Sequence, residues 1–404
     1  MGLSFFASIM TTAVLQLVVQ PWIADNYTKA DNGEILFITG IINVLILTFG
    51  NSLGDIKLTK NASFEKGEKQ PDYNVFLLIA VSLAAILTLP TFFARIEINV
   101  WDAIVLIIFA ILGTMHSYML AILRMRLMFV DSVITSAIRC VGYVVAIPLV
   151  MLTEVWAMPF AVSYLFSVTY LLIRTRTLGE GFGFGRNAKA IGKSYGQLSF
   201  SYALKSSLTY VDRFMIYPFV GNEEVAIYSV ATVLGKCVAL VLQPMANVVL
   251  GYYAQPGYVM SRKKYWLINL FAWALGVAAF ICVRLFSGIF IKHLYPDYVE
   301  AVKPYIEIAN VAAILGALPS IIQPALLRYC GMKWQIIIQS IYAACSIGLS
   351  LVFIFLFKGL SLDPLMGFCI AILITNLLKL VIMMFIGDRG IRKQSANTLV
   401  EPSV

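Results

Sequence analysis

Charge is scarce in this chain of 404 residues. Only 13% of the residues are Asp, Glu, Lys or Arg, whereas a soluble domain carries about 25%. This shortage, together with an apolar content of 60%, excludes a soluble domain as the main body of the protein. Apolar runs of about 18 residues or more recur along the chain instead, and each is long enough to cross a bilayer as a helix.

Residue types that carry metal or redox chemistry are also few. The sequence has two histidines, His116 and His293, and six cysteines that form no Cys-x-x-Cys pair. It shows no paired carboxylates, no Ser-His-Asp arrangement and no metal-ligand spacing, so we predict no catalytic residue, no metal site and no enzyme. The basic residues give a net charge of +9, but they are spread over short loops, which argues against a nucleic-acid partner.

The apolar runs predict an all-α polytopic membrane protein with about twelve spans. A membrane β-barrel is disfavoured because its strands are about ten residues long and alternate in polarity. The first run has no basic leader and no cleavage site, so we interpret it as a span and not as a signal peptide. The predicted spans are 3–23, 33–54, 74–94, 102–123, 132–152, 156–173, 197–220, 225–252, 265–290, 303–327, 335–357 and 364–387.

The basic residues between the spans predict the orientation. With an inner N-terminus, 19 of the 30 Lys and Arg residues fall in inner segments, 5 in outer segments and 6 within spans. The positive-inside rule then places both termini in the cytoplasm. An even number of spans agrees with this placement.

The longest inner segment, 174–196, divides the chain into two halves. It contains Gly192-Lys193-Ser194, which resembles the end of a phosphate-binding loop, but Asn187 replaces the opening glycine. We therefore interpret the segment as a flexible cytoplasmic linker. It separates an N-terminal six-helix bundle, 1–173, from a C-terminal six-helix bundle, 197–387, and residues 388–404 form a cytoplasmic tail. Two such halves are common in secondary transporters.

Charged side chains inside the predicted spans are the candidate site residues. A charge at the centre of an isolated membrane helix costs roughly 2.5–3.5 kcal/mol on insertion scales, so each one needs water, a partner or a ligand. Several alternatives stay open: an ion pair for Asp212 or Arg213, and solvation at a membrane surface for the residues nearest the span ends. The basic candidates are Arg139, Lys205, Arg213, Lys236, Arg284 and Lys379, and the acidic ones are Asp212 and Glu307.

Lys205 and Lys236 lie near mid-membrane, too deep for their side chains to reach the surface easily. Lys205 and Asp212 are seven residues apart and are expected to share one helix face. Six cations against two acids do not form a balanced network of ion pairs. The excess suits an anionic ligand such as phosphate or pyrophosphate, which Arg binds in a bidentate manner and Lys binds as a point charge.

The segment LTYVDRFMIYPFVGNEEVAIYSVATVL, residues 208–234, resembles the seventh and eighth helices of Wzx-type polysaccharide flippases. These flippases belong to the multidrug/oligosaccharidyl-lipid/polysaccharide exporter superfamily. The resemblance rests on Asp212 and Arg213 in the outer half of one helix, and on Gly221 and Tyr228 at the start of the next. The chain length, the twelve spans and the central linker are also similar to that family.

The resemblance implies two six-helix bundles around a central cavity that opens alternately to each side. The implied substrate is an oligosaccharide repeat unit on undecaprenyl pyrophosphate, moved to the outer leaflet of the bacterial inner membrane for O-antigen, capsule or other surface polysaccharide. The six basic residues would bind the pyrophosphate, and Asp212 and Glu307 would orient them or couple to an ion. Expected partners are the lipid-linked oligosaccharide, membrane lipids, and the polysaccharide polymerase with its chain-length machinery.

No cofactor is implied, and a proton gradient, a sodium gradient or the membrane potential would drive transport. A cation-coupled multidrug exporter of the same superfamily is the main alternative, although such a protein needs intramembrane carboxylates where this chain has cations. A membrane polysaccharide polymerase or ligase is a further alternative. That class usually carries catalytic Arg or His residues on a long outer loop, which this sequence lacks.

Overall fold

The computed structural model describes residues 9–60, 71–93, 99–185, 188–253, 260–330 and 332–400. All regular structure within these ranges is helical, which confirms the predicted all-α fold. The α-helices are α1 (Gln20–Asn26), α2 (Lys29–Ile46), α3 (Ser52–Lys60), α4 (Pro71–Thr88), α5 (Val100–Met125), α6 (Phe129–Thr153), α7 (Met158–Thr175), α8 (Ala188–Thr209), α9 (Val211–Phe219), α10 (Asn222–Tyr253), α11 (Arg262–Leu294), α12 (Val299–Val302), α13 (Ile306–Ala317), α14 (Pro319–Tyr329), α15 (Met332–Gly359) and α16 (Pro364–Val400).

Nine helical stretches of the described residues are long and apolar enough to cross a membrane. They coincide with the second to sixth and the ninth to twelfth predicted spans. The first predicted span lies partly outside the described residues, and the seventh is divided between α8 and α9. The eighth lies in α10, where the side chains of 243–253 are outside the described part. The nine stretches are Lys29–Thr59, Pro71–Phe92, Val100–Met125, Phe129–Thr153, Met158–Thr175, Arg262–Leu294, Ile306–Tyr329, Trp334–Gly359 and Pro364–Arg392.

Two of the predicted spans are broken, for different local reasons. The tenth is divided between α13, which ends at Ala317, and α14, which starts at Pro319. Proline suits the first turn of a helix, because an N–H at that position would have no partner within the helix. The seventh breaks at Tyr210, whose N–H is shared between the carbonyls of Ser206 and Ser207, both at 3.3 Å. The face that Lys205 and Asp212 are expected to share assumes one unbroken helix through Tyr210.

The chain divides into two compact units, each with its own apolar core. Unit 1 comprises residues 1–27 and 34–213, and unit 2 comprises residues 28–33 and 214–404. In unit 1, Phe109 packs against Phe160 and Tyr164 with ring centroids 5.5 and 5.6 Å apart. In unit 2, the fully buried Tyr265 packs within an apolar cluster and donates its hydroxyl to the carbonyl of Met384 at 3.0 Å.

The observed units differ from the predicted bundles at two places. Helix α8 belongs to unit 1, although we expected residues 197–213 in the C-terminal bundle. Hydroxyl pairs hold it there: Ser199 lies 2.9 Å from Ser52, and Ser206 lies 3.5 Å from Thr48. Residues 28–33 belong to unit 2, where the Asn32 amide donates to the Tyr298 hydroxyl at 2.9 Å.

Tyr298 is a buried member of unit 2. Its burial raises its pKa to about 12, so the hydroxyl that accepts from Asn32 keeps its own proton at neutral pH. The ammonium group of Lys29 lies 5.7 Å from the centre of the same ring. The first turn of α2 is therefore fixed to unit 2, while the rest of that helix belongs to unit 1.

The predicted linker 174–196 contains the start of a helix. Helix α8 is described from Ala188 onward, and residues 176–185 are the described part of the connection between α7 and α8. The Asn74 amide donates to the carbonyls of Thr177 and Gly181 at 2.9 and 2.8 Å, and Asp72 accepts from the Gly185 N–H. At the other end of the chain, α16 continues to Val400, so residues 388–400 of the expected tail are also helical.

Candidate functional site

The predicted site residues are distributed over both units. Unit 1 contains Arg139, Lys205, Asp212 and Arg213, and unit 2 contains Lys236, Arg284, Glu307 and Lys379.

Arg139 on α6 is held by tyrosines. Its Nη2 donates to the hydroxyl of Tyr143, one turn away, at 3.1 Å. Its guanidinium carbon lies 4.1 Å from the ring centre of Tyr164 on α7 and 5.8 Å from that of Tyr143. The Nε is buried and has no hydrogen-bond partner among the described residues, and no described carboxylate forms an ion pair with this side chain.

Arg213 is held in a similar way at the start of α9. Its Nη1 donates to the carbonyl of Leu36 at 2.5 Å and to the Thr39 hydroxyl at 3.4 Å. Its guanidinium carbon lies 5.2 Å from the ring centre of Tyr210. Gly40 makes room for this approach, since a Cβ added there would lie 3.0 Å from the Arg213 Cδ.

Tyrosine rings accompany both arginines. Tyr143 and Tyr164 lie against Arg139, and Tyr210 lies against Arg213. We call Arg139, Tyr143, Tyr164, Tyr210 and Arg213 the arginine–tyrosine cluster. All five residues belong to unit 1. The buried His116 borders the cluster, with its ring edge-on to Tyr164 at 5.1 Å between ring centres.

Lys205 and Asp212 lie on separate helices, because the seventh predicted span is divided at Tyr210 into α8 and α9. The face that these two residues are expected to share stays a prediction. Lys205 is exposed on α8, and its ammonium group has no partner among the described side chains. Asp212 accepts from the backbone N–H of Arg213 at 3.0 Å.

In unit 2, two of the predicted residues form an ion pair. Arg284 Nε lies 3.3 Å from Glu307 Oε1, and both side chains are about 60% exposed. A small cavity of about 60 Å³ adjoins the pair and is lined by Phe280, Val283, Arg284, Ser287, Ile306, Glu307 and Asn310. Since an exposed pair of this kind contributes little stability, Arg284 and Glu307 remain available for other contacts.

The two lysines of unit 2 lie over aromatic rings. Lys236 Nζ is 5.7 Å from the ring centre of Tyr228, and Lys379 Nζ is 4.0 Å from that of Tyr342. Four of the six predicted cations, two in each unit, are thus placed over tyrosine faces. A cation–π contact stabilises a cation by about 0.5–2 kcal/mol without adding a negative charge beside it.

None of these tyrosines was predicted to contact a cation, although Tyr228 belongs to the family resemblance. One signal was present in the sequence, because Tyr143 follows Arg139 by four residues on α6, a spacing that brings two side chains together on one helix surface. No such spacing joins Arg139 to Tyr164 or Lys379 to Tyr342. Among the described residues, no group of three or more His, Cys, Asp or Glu side chains is arranged to hold a metal ion.

Comparisons with known proteins find similarity in structure only. No protein-family model matches the sequence, and no curated protein matches it. A multidrug resistance MATE family transporter of the MOP superfamily, in an inward-facing conformation, aligns with a TM-score of 0.73 and 14% identity over 96% of this chain and 99% of that chain. The lipid II flippase MurJ, in an inward closed conformation, aligns with a TM-score of 0.72 and 13% identity over 98% and 91%.

A eukaryotic MATE transporter also aligns, with a TM-score of 0.61 and 14% identity over 97% of each chain. Each alignment extends over nearly the whole of both chains, so the similarity includes both units. At this level of identity the comparison establishes the fold alone. The chain has the fold of the MATE transporters of the MOP superfamily and of the lipid II flippase MurJ.

Proposed function

We propose that this protein is a flippase for lipid-linked oligosaccharides. It would move repeat units on undecaprenyl pyrophosphate from the cytoplasmic to the outer leaflet of a bacterial inner membrane, by alternating access and with both termini in the cytoplasm. The shared fold with a lipid II flippase supports a lipid-linked substrate. The excess of basic over acidic residues within the predicted spans supports a substrate that carries a pyrophosphate group.

One observation carries the proposal: the arginine–tyrosine cluster stabilises two arginines without neutralising them. Neither Arg139 nor Arg213 forms an ion pair with a described carboxylate, and both lie over tyrosine rings. Charges in a low-dielectric site that are not paired within the protein favour a ligand of opposite sign. A pyrophosphate supplies that charge and accepts hydrogen bonds from guanidinium groups in a bidentate manner.

The buried Nε of Arg139 adds a hydrogen-bonding argument. A buried donor without a partner costs about 1–3 kcal/mol, and a phosphate oxygen would remove this cost on binding. Lys205, which is exposed and without a described partner, would add a mobile point charge. In unit 2, Lys236 and Lys379 would hold charge on their tyrosine faces, and Arg284 would act on the outer side.

Asp212 and Glu307 would orient the basic residues or couple transport to an ion. Glu307 already orients Arg284 through their ion pair. A proton gradient, a sodium gradient or the membrane potential would supply the energy. The polysaccharide polymerase and its chain-length machinery would use the delivered repeat unit.

The multidrug exporter is the second candidate, favoured by the fold shared with a multidrug resistance transporter. Such a protein would need acidic groups to hold a cationic drug. The cluster in unit 1 has the opposite charge, which places the exporter second.

The test begins with a deletion strain, in which lipid-linked oligosaccharide on the cytoplasmic leaflet is measured with and without rescue. Wild-type protein should clear the accumulated lipid. Arg139→Gln should slow clearance by about 10- to 100-fold, since a hydrogen bond to a charged group contributes about 1.5–3 kcal/mol. Arg139→Lys keeps the charge but loses the planar, bidentate donor geometry of Arg. Its rate of lipid clearance should lie between those of the wild type and Arg139→Gln.

Lys292→Gln is the matched control, because it removes one exposed charge from α11 and Lys292 is not one of the predicted site residues. It should clear the lipid at the wild-type rate. If the deletion strain accumulates no lipid and becomes sensitive to cationic drugs instead, the exporter replaces the flippase. If Arg139→Gln and the control behave alike, the arginine–tyrosine cluster is not the binding site.

A further inference from the structure

The start of α11 is unusually basic. Arg262, Lys263 and Lys264 form its first turn, and no acidic residue accompanies them there. The N-terminal end of a helix is the positive end of its dipole and favours acidic side chains. Three consecutive cations at this end oppose the dipole, so helix stability does not explain them. Ser261 caps the helix by accepting from the Lys264 N–H at 3.3 Å.

Asp388 on α16 forms an ion pair with only one of these three cations, Arg262. Its Oδ1 accepts from Arg262 Nε at 2.7 Å and from Trp266 Nε1 at 2.9 Å, and its Oδ2 pairs with Arg392 at 2.8 Å. The carboxylate is therefore already shared by two arginines. Lys263 and Lys264 are exposed and have no acidic partner among the described residues.

A groove lies directly beside the two lysines. It has a volume of about 480 Å³ and is lined by Ser261, Lys263, Lys264, Trp266, Leu267 and Leu270. The two leucines are each 65% exposed, and the indole of Trp266 is fixed by its hydrogen bond to Asp388. The groove thus has cationic groups at one end and apolar side chains along the helix that enters the predicted membrane region.

This arrangement matches the two ends of an amphiphile. Lysines bind a phosphate as point charges, and a Trp ring belongs at the boundary between headgroups and acyl chains. Exposed leucines on a membrane-spanning helix face acyl chains and not water. A free soluble anion would use the lysines but would leave the apolar length of the groove without a partner.

We propose that the groove at the start of α11 binds an anionic phospholipid of the bilayer. The headgroup phosphate lies at Lys263 and Lys264, and an acyl chain follows Leu267 and Leu270. This site lies outside the arginine–tyrosine cluster and does not depend on the proposed flippase activity. It would fix the start of α11, and through Asp388 the end of α16, to the anionic leaflet.

The test uses the purified full-length protein and native mass spectrometry with two lipid probes. Phosphatidylglycerol and phosphatidylcholine carry the same acyl chains in this experiment, so only the headgroup charge differs. Wild-type protein should retain phosphatidylglycerol preferentially. Lys263→Gln with Lys264→Gln should weaken that retention by about 30-fold, which corresponds to the usual contribution of two lysines near an anionic surface.

Two controls make the result specific. Lys292→Gln with Lys303→Gln removes the same number of charges from unit 2 at a distant position in the sequence and should leave retention unchanged. Lys263→Arg with Lys264→Arg keeps the charge and should also retain the lipid. Equal retention of both lipids by the wild type, or an equal loss in the Lys292/Lys303 variant, would overturn the proposal. Retention of polyprenyl phosphate in place of phosphatidylglycerol would overturn it as well.

Discussion

Gly142 on α6 lies against the backbone of α7, and replacing it by alanine tests this packing directly. A Cβ added at Gly142 would lie 2.6 Å from the Cα of Ser163 and 3.2 Å from its N. Both are backbone atoms, so no side-chain rotation relieves the overlap. Restoring a contact of 3.4 Å requires a separation of the helices by about 0.8 Å, from 3.4 − 2.6.

This separation has an energetic and a functional consequence. Overpacking of this kind costs about 1–3 kcal/mol, and small residues at membrane helix interfaces exist to allow close approach. At about 2–4 °C per kcal/mol for a unit of this size, the unfolding midpoint should fall by about 2–12 °C. Arg139 on α6 and Tyr164 on α7 should also move apart, from 4.1 Å to about 5 Å.

The assay is thermal unfolding of the purified protein in detergent, followed by lipid clearance in cells. Gly348→Ala is the matched control, because a Cβ at Gly348 on α15 meets no atom within 4 Å. It should leave the midpoint unchanged or raise it by up to about 2–4 °C, since Ala is favoured over Gly in a helix by about 1 kcal/mol. A midpoint for Gly142→Ala at or above that of Gly348→Ala would refute the reasoning.

Three further changes test separate contacts. Gly40→Val should push the Arg213 guanidinium away from its carbonyl partner and slow lipid clearance about tenfold, with little change in the unfolding midpoint; an unchanged rate would argue against a role for Arg213. Asp388→Asn should lower the free energy of unfolding by about 1–2 kcal/mol, because two half-exposed arginines lose their carboxylate, and an unchanged midpoint would contradict this. Asn74→Ala should free the 176–185 connection, so that trypsin cleaves after Arg176 faster than in the wild type; equal cleavage would show that the two amide hydrogen bonds do not hold it.

The helices were predictable from the sequence because the length of an apolar run is a local property. Nine predicted spans coincide with helices that meet the same criterion in the structure. The assignment of helices to units was not predictable in this way. It depends on contacts such as Ser52 with Ser199 and Asn32 with Tyr298, which join residues far apart in the chain.

The candidate site was likewise predictable only in part. The cost of a charge in a membrane helix singled out Arg139 and Arg213 without any knowledge of their surroundings. No residue spacing predicted the aromatic rings on other helices, such as that of Tyr164, that these arginines contact. The division of the seventh span at Tyr210, after a polar Ser-Ser-Leu-Thr run, was not predicted, and the face shared by Lys205 and Asp212 was expected for one unbroken helix.

The division of α2 between the two units sets an order of events during synthesis. Asn32 reaches its partner Tyr298 only after the ribosome has added 266 more residues, which takes roughly 13–53 s at about 5–20 residues per second. Until then the first turn of α2 has no unit 2 to pack on, and the side-chain amide of Asn32 lacks its acceptor. The N-terminal half of the chain therefore cannot complete the packing of the first turn of α2 by itself. Fragments that end before Tyr298 should expose this turn to quality-control proteases.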